Sequence, residues 1–411
     1  MPEITTPVNR RGVVAGLAGL GLTAPWIRRA TAEQAPLRIG VLTDLSSWGR
    51  DNGGPGAVFA AQQAAHEIGG SVAGRTIEIV AGDHQMSPDI GMTIARKWFD
   101  EGNVSATADV PNSAIALAVQ ALCKEKDRIA LFSGPGSSEL TNGHCNDRTA
   151  SFTYNTYATA KVVTSALAKQ GRKTWFFISA DYAFGKQLQG DATAFIEQGG
   201  GRVLGGVRHP PGTTDYSSLL LQAQSSGAEV IALCNTGTDC TNALKQAVEF
   251  GIAQSGRAMT ALAMFLSDVN AAGLEVTQGT LFATSAYWAQ DAATTAWSQP
   301  YFEKVGAMPT MLQIGTYTGV RHYLKAVAAA GSTEAGKVMQ EMYRLKVDDA
   351  FVHDATLRAD GQVIRDIYLA RVKTPAASKG KWDYLDLLET VTGDDAFRPA
   401  SKSSCPLLAH G

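Results

Sequence analysis

The chain has 411 residues, which is too long for one ordinary hydrophobic core and predicts two domains. Apolar residues make up 45% and charged residues 18%, a composition that excludes a disordered chain. The formal net charge of −2 argues against the basic face of a nucleic-acid-binding protein, so no nucleic-acid partner is predicted.

Residues 1–32 have the pattern of an export signal. The twin arginines Arg10 and Arg11 precede a Gly-rich apolar stretch over residues 13–22, and an A-x-A cleavage motif ends at Ala32. The apolar stretch is about half of the roughly 20 residues needed to span a bilayer. Because no cysteine precedes Cys123, no lipid-attachment cysteine lies near the cleavage site. We expect twin-arginine export and a mature protein that is free in the periplasm.

From residue 37 the sequence alternates short apolar runs with helical patterns. Such alternation predicts a parallel β-sheet with helices on both faces. The predicted strands of this first unit lie at residues 37–43, 75–81, 105–109 and 129–133. The predicted helices lie at residues 57–68, 88–101 and 112–126.

A second α/β unit follows, and the tail has a different pattern. Strands are predicted at residues 174–179, 203–207, 229–233 and 259–263, and helices at 156–170, 184–198, 216–225 and 238–250. Residues 280–286 form another apolar run, and helices are predicted at 309–330 and 333–345. In the tail, residues 350–357 and 363–372 predict an antiparallel hairpin around a turn at Asp360-Gly361, and residues 381–390 one more strand.

Five cysteines are present, and export would expose them to oxidising conditions. We favour pairing of Cys123 with Cys145, because they bracket one strand and one loop. Pairing of Cys234 with Cys240, or of either with Cys405, stays open. The odd number leaves at least one thiol free or bonded to another chain. No C-x-x-C motif or His cluster is present, so neither a metal site nor a cofactor is predicted.

Candidate ligand contacts stand directly after the predicted strands, where ligands bind to open α/β sheets. In the first unit these are hydroxyl groups and backbone amides at helix starts, which favour an anion such as a carboxylate. Simple helix capping by Ser113 and Ser138 is the alternative. The candidates are Ser113, Gly136, Ser137 and Ser138.

In the second unit, aromatic and acidic residues follow the strands. Tyr182, Asp239 and Tyr287 could supply an apolar wall and an acceptor for a ligand. Asp239 could instead only stabilise the first turn of its helix. The Gly-rich segments lack the pattern of a phosphate-binding loop, and no Gly-x-Ser-x-Gly motif occurs. With no nucleophile–base pair evident, the sequence predicts a binding protein and not an enzyme.

Several segments, in order, resemble the periplasmic substrate-binding proteins of ABC transporters, and the nearest group is the leucine/isoleucine/valine-binding type. The resemblance extends over nearly all of the chain after the signal. Its most characteristic segments are residues 111–119, 133–141, 243–247, 286–288, 397–399 and 405–407.

The resemblance implies the type I periplasmic-binding fold, with two doubly wound parallel-sheet lobes joined by a three-stranded hinge that closes on the ligand. Lobe 1 is expected from residues 37–153 and 287–348, and lobe 2 from 154–286 and 349–411. By this resemblance Ser113, Gly136, Ser138 and, with them, Ser137 hold the ligand carboxylate, and Trp48 shields the ligand. Tyr182, Asp239 and Tyr287 provide the contacts of the second lobe.

The resemblance also implies a small carboxylate ligand and a membrane permease as partner, with the protein itself a monomer. The bulky Trp48 and the aromatic character of the expected cleft differ from a leucine site. An aromatic acid and a branched-chain amino acid therefore remain rival ligands. A second hypothesis is a sensor that presents its ligand to a membrane receptor.

Overall fold

The computed structural model describes residues 34–252 and 255–408, so the predicted export signal at residues 1–32 lies outside the described residues. Strands and helices alternate from residue 37 onward, and the first strand, β1, spans Leu37–Thr43 as predicted. Two separate sheets consist mainly of parallel strands with helices packed on them. The predicted α/β fold class is therefore confirmed.

The first sheet contains β1, β2 (Ser71–Val72), β3 (Arg75–Asp83), β4 (Val104–Asp109), β5 (Ile129–Phe132) and β6 (Thr149–Ser151). Their order across the sheet is β2-β3-β1-β4-β5-β6, and β2 is antiparallel to β3 while the other pairs are parallel. All four residues of β5 are buried apolar side chains, as expected for a parallel strand covered on both faces. Sequence analysis did not predict the short edge strand β6.

Helices cover both faces of this sheet. On one face lie α1 (Gly54–Glu67) and the long α11 (Met311–Ala330), which pack against each other and against the central strands. On the other face lie α2 (Pro88–Asp100) and α3 (Ser113–Lys126). Two further helices, α10 (Ala292–Val305) and α12 (Ala335–Arg344), extend the layer of α1 and α11. The polypeptide thus returns to the first sheet late in the sequence.

The second sheet contains β7 (Thr174–Ala180), β8 (Arg202–His209), β9 (Val230–Cys234) and β10 (Ala258–Ala261), all parallel, in the order β10-β9-β7-β8. Helices pack around this sheet, and every residue of β7 after Thr174 is buried. These helices are α4 (Thr156–Lys169), α5 (Ala183–Gln198), α6 (Ser217–Ser225), α7 (Gly237–Glu249), α8 (Leu266–Ala272) and α9 (Leu274–Thr277).

A third, antiparallel sheet combines β11 (Leu281–Thr284) with strands from the tail in the order β11-β14-β15, where β14 spans Ile367–Val372 and β15 spans Leu385–Val391. The predicted hairpin forms only as the short pair β12 (Thr356–Leu357) and β13 (Val363–Ile364). The predicted strand 363–372 is divided, because the chain leaves the ladder at Arg365, whose side chain is buried. A final short helix, α13, spans Gly393–Ala396.

Three connections link the layer of the first sheet to the rest of the fold. The first lies between β6 and α4, the second between β11 and α10, and the third between α12 and β12. Each joins elements that pack on different sheets. This topology matches the expected three crossings, whereas the exact lobe boundaries at 153/154, 286/287 and 348/349 stay a prediction.

The disulfide bond joins Cys145 to Cys405, so the predicted pairing of Cys123 with Cys145 is wrong. Cys123 is free and fully buried within α3, where it packs in the core of the first sheet. The reason is tertiary: the tail returns to the loop after β5, where the backbone N–H of Ser404 donates to Asn142 Oδ1 at 2.8 Å. The other two cysteines, Cys234 and Cys240, are buried and free.

Candidate functional site

A small cavity lies between the first and second sheets, at the carboxyl ends of their strands. Except for Leu312 in α11, its lining comes from segments that follow β1, β3, β4, β5, β6, β7, β9 and β10, as expected for open parallel sheets. The free space within it is about 20 Å³, room for about one water molecule. The lining residues are Gly49, Asn52, Met86, Pro111, Gly134, Gly136, Tyr154, Tyr182, Phe184, Thr236, Phe265 and Leu312.

Aromatic rings form most of the apolar wall. Tyr154 and Phe265 meet edge to face with ring centroids 5.9 Å apart, and Tyr182 lies 6.0 Å from Phe184. Trp48 adds a fifth ring behind this wall, in an edge contact with Tyr182 at 6.1 Å. Such rings offer large, rigid apolar area to a flat ligand. Burial raises the pKa of the Tyr182 hydroxyl above its usual value, so this group stays protonated near neutral pH.

Gly136 brings the backbone to the edge of these rings. A Cβ atom at this position would lie 2.5 Å from a ring carbon of Phe184 and 2.8 Å from the hydroxyl oxygen of Tyr154. A residue with a side chain therefore does not fit here without displacing a ring. The carbonyl of Gly136 accepts from the Thr156 N–H at 2.7 Å, whereas its own N–H has no hydrogen-bond partner in residues 34–252 and 255–408.

The hydroxyl of Ser113 lies directly behind this backbone segment. Ser113 is the first residue of α3, and its Oγ accepts a hydrogen bond from the Ser137 N–H at 3.2 Å. Asn112, not Ser113, caps the helix, because its Oδ1 accepts from the N–H groups of Ala114 and Ile115. Capping is thus excluded as the role of the Ser113 side chain, which instead supports the loop that carries Gly136.

Ser137 and Ser138 are buried beside Gly136 and are not part of the cavity lining. Ser137 caps the short 3-10 helix Ser138–Thr141 through its hydroxyl. The Ser138 hydroxyl donates to Asp191 on α5 at 2.9 Å. The same Asp191 oxygen accepts from Thr156 Oγ1 at 2.6 Å, and these bonds join the loop after β5 to the helix after β7.

Asp239 and Tyr287 contact other parts of the protein. Asp239 is buried in the first turn of α7, where both carboxylate oxygens accept from the Gly212 N–H at 3.0 and 3.2 Å. Burial raises the pKa of this carboxyl group. The Tyr287 hydroxyl donates to the Trp382 carbonyl at 3.0 Å and accepts from the Tyr384 N–H. Neither side chain lines the cavity.

The loop with Trp48 is held by a buried carboxylate. Asp44, directly after β1, accepts hydrogen bonds from the backbone N–H groups of Ser47 and Gly49, both at 2.8 Å. This arrangement lays the loop across the start of α7, where a Cβ atom on Gly237 would lie 2.9 Å from the Trp48 carbonyl oxygen. Trp48 therefore packs against Tyr182 without entering the lining itself.

Two carboxyl groups near the cavity have strongly raised pKa values. Burial raises the pKa of Asp109 to about 7, although the Thr43 and Ser133 hydroxyls donate to it at 2.7 and 3.1 Å. Burial likewise raises the pKa of Asp268 to about 7, although the Phe265 N–H donates to it. Asp109 and the following Val110 have φ angles of 73° and 58°, a strained conformation that turns the chain into the site.

Sequence reasoning missed several residues of the cavity, chiefly Met86, Phe265 and Leu312. It also gave no role to Asn52, whose Oδ1 accepts from Ser267 on α8 at 2.7 Å and so joins the two sides of the cavity. Phe265 could have been found by its place just after β10. Leu312 could not, because it belongs to α11, which reaches the cavity from a distant part of the sequence.

No group of His, Cys, Asp and Glu suited to a metal ion occurs in the part of the chain that the structure describes. Within the same residues, no helix combines the length and apolar character of a membrane span.

Residues 36–381 match the family model described as periplasmic binding protein, which covers most of the chain. The chain belongs to this family. This periplasmic binding protein is similar to one from Burkholderia mallei, with 44% identity over 90% of this chain and 99% of that one and a TM-score of 0.88. It is also similar to a branched chain amino acid ABC transporter periplasmic ligand-binding protein from Burkholderia xenovorans LB400, with 40% identity, 90% and 100% coverage and a TM-score of 0.81.

Among curated proteins, the periplasmic binding protein described here is 25% identical over 193 residues to Leu/Ile/Val-binding protein homolog 6 of Brucella melitensis. This alignment covers 46% of this chain and 49% of the relative, so about half of that curated protein is matched.

Proposed function

We propose that this periplasmic binding protein is the extracytoplasmic solute-binding component of an ABC importer. It captures a small carboxylate between its two lobes and releases it, unchanged, to a membrane permease. Export by the twin-arginine signal at residues 1–32 would place it in the periplasm. The Burkholderia xenovorans relative, named as an ABC transporter ligand-binding protein, supports the transport role.

The observation that carries the proposal is the cavity at the meeting carboxyl ends of two parallel sheets. There the N–H of Gly136, which has no partner among the described residues, supplies a donor for an anion, and the side-chain amide of Asn52 is a second polar group of the lining. Backbone N–H groups of this kind favour a negatively charged ligand group. Each carries a partial positive charge, and it can be buried without a counter-ion. The ligand we propose therefore carries a carboxylate at this end.

The rest of the cavity favours an aromatic acid over an amino acid. Four aromatic side chains line it, and none of its described lining residues is acidic. An α-ammonium group buried there would meet no carboxylate among these lining residues, which makes its desolvation costly. An aromatic monocarboxylate places a flat ring against the wall formed by Tyr154, Tyr182, Phe184 and Phe265, and it has no second charge to satisfy.

The free space of about 20 Å³ is smaller than such a ligand, so entry requires the two sides to move apart. In the proposed cycle the lobes open, bind the acid and close upon it. The Asn52–Ser267 hydrogen bond at 2.7 Å joins the two sides in the closed arrangement.

The proposal is tested by thermal denaturation of the chain from residue 33 onward with benzoate, 4-hydroxybenzoate, L-phenylalanine or L-leucine. An aromatic acid at about one hundred times its Kd should stabilise the protein by about 2.7 kcal/mol, with no consumption of the acid. A larger effect of leucine than of benzoate would reject the aromatic ligand class. Absence of binding to every acid by calorimetry would reject a carboxylate-binding function, and accumulation of product would reject binding without conversion.

A further inference from the structure

Arg365 is a buried cation outside the cavity. It stands between β13 and β14, its side chain is 5% exposed, and its burial lowers the pKa of the guanidinium group. In residues 34–252 and 255–408 it forms no salt bridge. Its partners are three backbone carbonyl oxygens: Nη1 donates to Phe152 at 3.2 Å, and Nη2 donates to Ser285 at 2.6 Å and to Phe351 at 3.1 Å.

The three carbonyls belong to the three connections between the layer of the first sheet and the rest of the fold. Phe152 directly follows β6 on the way to α4, Ser285 directly follows β11 on the way to α10, and Phe351 lies between α12 and β12. These segments are far apart in the sequence, since 133 residues separate the first two and 66 the last two, by subtraction of their numbers. One guanidinium group thus holds one carbonyl from each crossing.

The neighbouring Gln362 strengthens the same junction. It is fully buried, its backbone pairs with Ser151 in an isolated parallel bridge, and its Nε2 donates to the Ser151 and Thr153 carbonyls at 3.4 Å each. Its Oε1 accepts from Asn155 Nδ2 at 3.0 Å. The segment with Gln362 and Arg365 therefore contacts the first connection along its whole length and reaches the other two through the arginine.

We infer that Arg365 is the hinge clamp of this protein: it fixes the three crossings to one another, so that the lobes open and close about a single axis. The planar guanidinium group suits this role, because it presents several N–H donors in a fixed geometry. Because its partners are backbone carbonyls, the clamp does not depend on which side chains the three connections carry. The inference rests on the lobe closure of the proposed function.

A structural role alone would stabilise the fold without restricting the direction of motion. The clamp makes a different prediction, because its loss frees each connection to flex by itself. Hinge motions are absorbed by a few residues in loops or at element ends; the carbonyls of Phe152 and Ser285 directly follow strands, and that of Phe351 lies within the third connection. The distribution of distances between the two lobes is therefore the quantity that separates the two roles.

The experiment uses spin labels on Lys97→Cys in α2 and Lys245→Cys in α7, both of which are exposed and lie on different sheets. The free cysteines at positions 123, 234 and 240 are buried and stay unlabelled. Distances are measured by electron–electron double resonance in the protein without ligand. For Arg365→Met we expect the distance distribution to widen by about twofold, and for Arg365→Lys an intermediate width.

The matched control is Arg371→Met, which removes an exposed arginine of β14 that pairs with Asp386 at 3.2 Å. It should leave the distribution at the wild-type width. If Arg365→Met does not fold, the Arg365→Lys variant carries the test. An unchanged width in a folded Arg365 variant with a lowered Tm overturns the clamp and leaves a structural role. Because no ligand is present, this result is independent of the thermal test of ligand binding.

Discussion

Removal of the Cys145–Cys405 disulfide should lower stability by an amount that its loop length sets. The bond closes a loop with a sequence separation of 260 residues. The chain-entropy model gives about 5.6 kcal/mol for about 260 residues at 25 °C, from a loss of about 19 cal/mol/K in the unfolded chain. Measured disulfide contributions are commonly smaller than this model gives, so we expect a loss of about 2–4 kcal/mol in Cys405→Ala.

This loss converts into a measurable change in Tm. An unfolding entropy of about 2.1 cal/mol/K per residue over roughly 375 residues gives about 0.8 kcal/mol/K. Division of the expected loss by this entropy predicts a decrease in Tm of about 3–5 °C, measured by differential scanning calorimetry. Reduction of the wild-type protein should lower its Tm to that of Cys405→Ala, and reduction of the variant should change nothing.

A thiol titration under non-reducing denaturing conditions provides the independent check. Five cysteines are present, two form the bond and three are free, so the wild-type protein should react at three thiols. A Cys123→Ala variant should then react at two thiols; reaction at four thiols in this variant, or at five in the wild type, would refute the Cys145–Cys405 pairing. A wild-type Tm that does not respond to complete reduction would refute the stability argument.

Two further predictions concern the cavity. Gly136→Ala should abolish most of the ligand-induced stabilisation in thermal denaturation, because the new Cβ atom meets Phe184 at 2.5 Å. Gly190→Ala, whose new Cβ atom has no neighbour within 4 Å, should retain it. Equal ligand effects in both variants would contradict this reading. Asp109→Asn should flatten the pH dependence of unfolding. The folded pKa of about 7 lies above the ordinary 3.8, so the folded state binds the extra proton, and this contribution of about 4 kcal/mol is present at low pH and disappears as the pH rises through 7. Urea denaturation at about pH 5 and about pH 8 measures the part that is lost between these two values, about 2.7 kcal/mol, and a pH dependence equal to that of the wild type would argue against it.

The strand–helix alternation was readable from the sequence because parallel strands are continuous apolar runs that end at polar residues. β1 was predicted at its observed bounds, and the segments after β5 and β7 were correctly expected to lie at the carboxyl edges of their sheets. These rules are local, since each depends on burial patterns within a few residues. In the structure, Gly136 after β5 and Tyr182 after β7 both line the cavity.

The direction in which a side chain points at such an edge is not determined by the local sequence. Asp239 follows a strand as Tyr182 does, yet its carboxylate points to the Gly212 N–H because the loop before α6 packs beside it. Tyr287 likewise follows β11 but donates to the Trp382 carbonyl, which the tail brings within reach. The same local pattern therefore leads to different contacts.

The sequence by itself determined the fold class, the order of the elements and the strand ends where the cavity forms, because burial periodicity and turn chemistry act over short distances. Only the tertiary structure decided the Cys145–Cys405 bond, the cavity contributions of Leu312 and the three carbonyls held by Arg365. The physical reason is that most of these contacts join segments far apart in the sequence, up to 260 residues for the disulfide, and their meeting depends on how whole layers pack, which leaves no periodic pattern in the sequence.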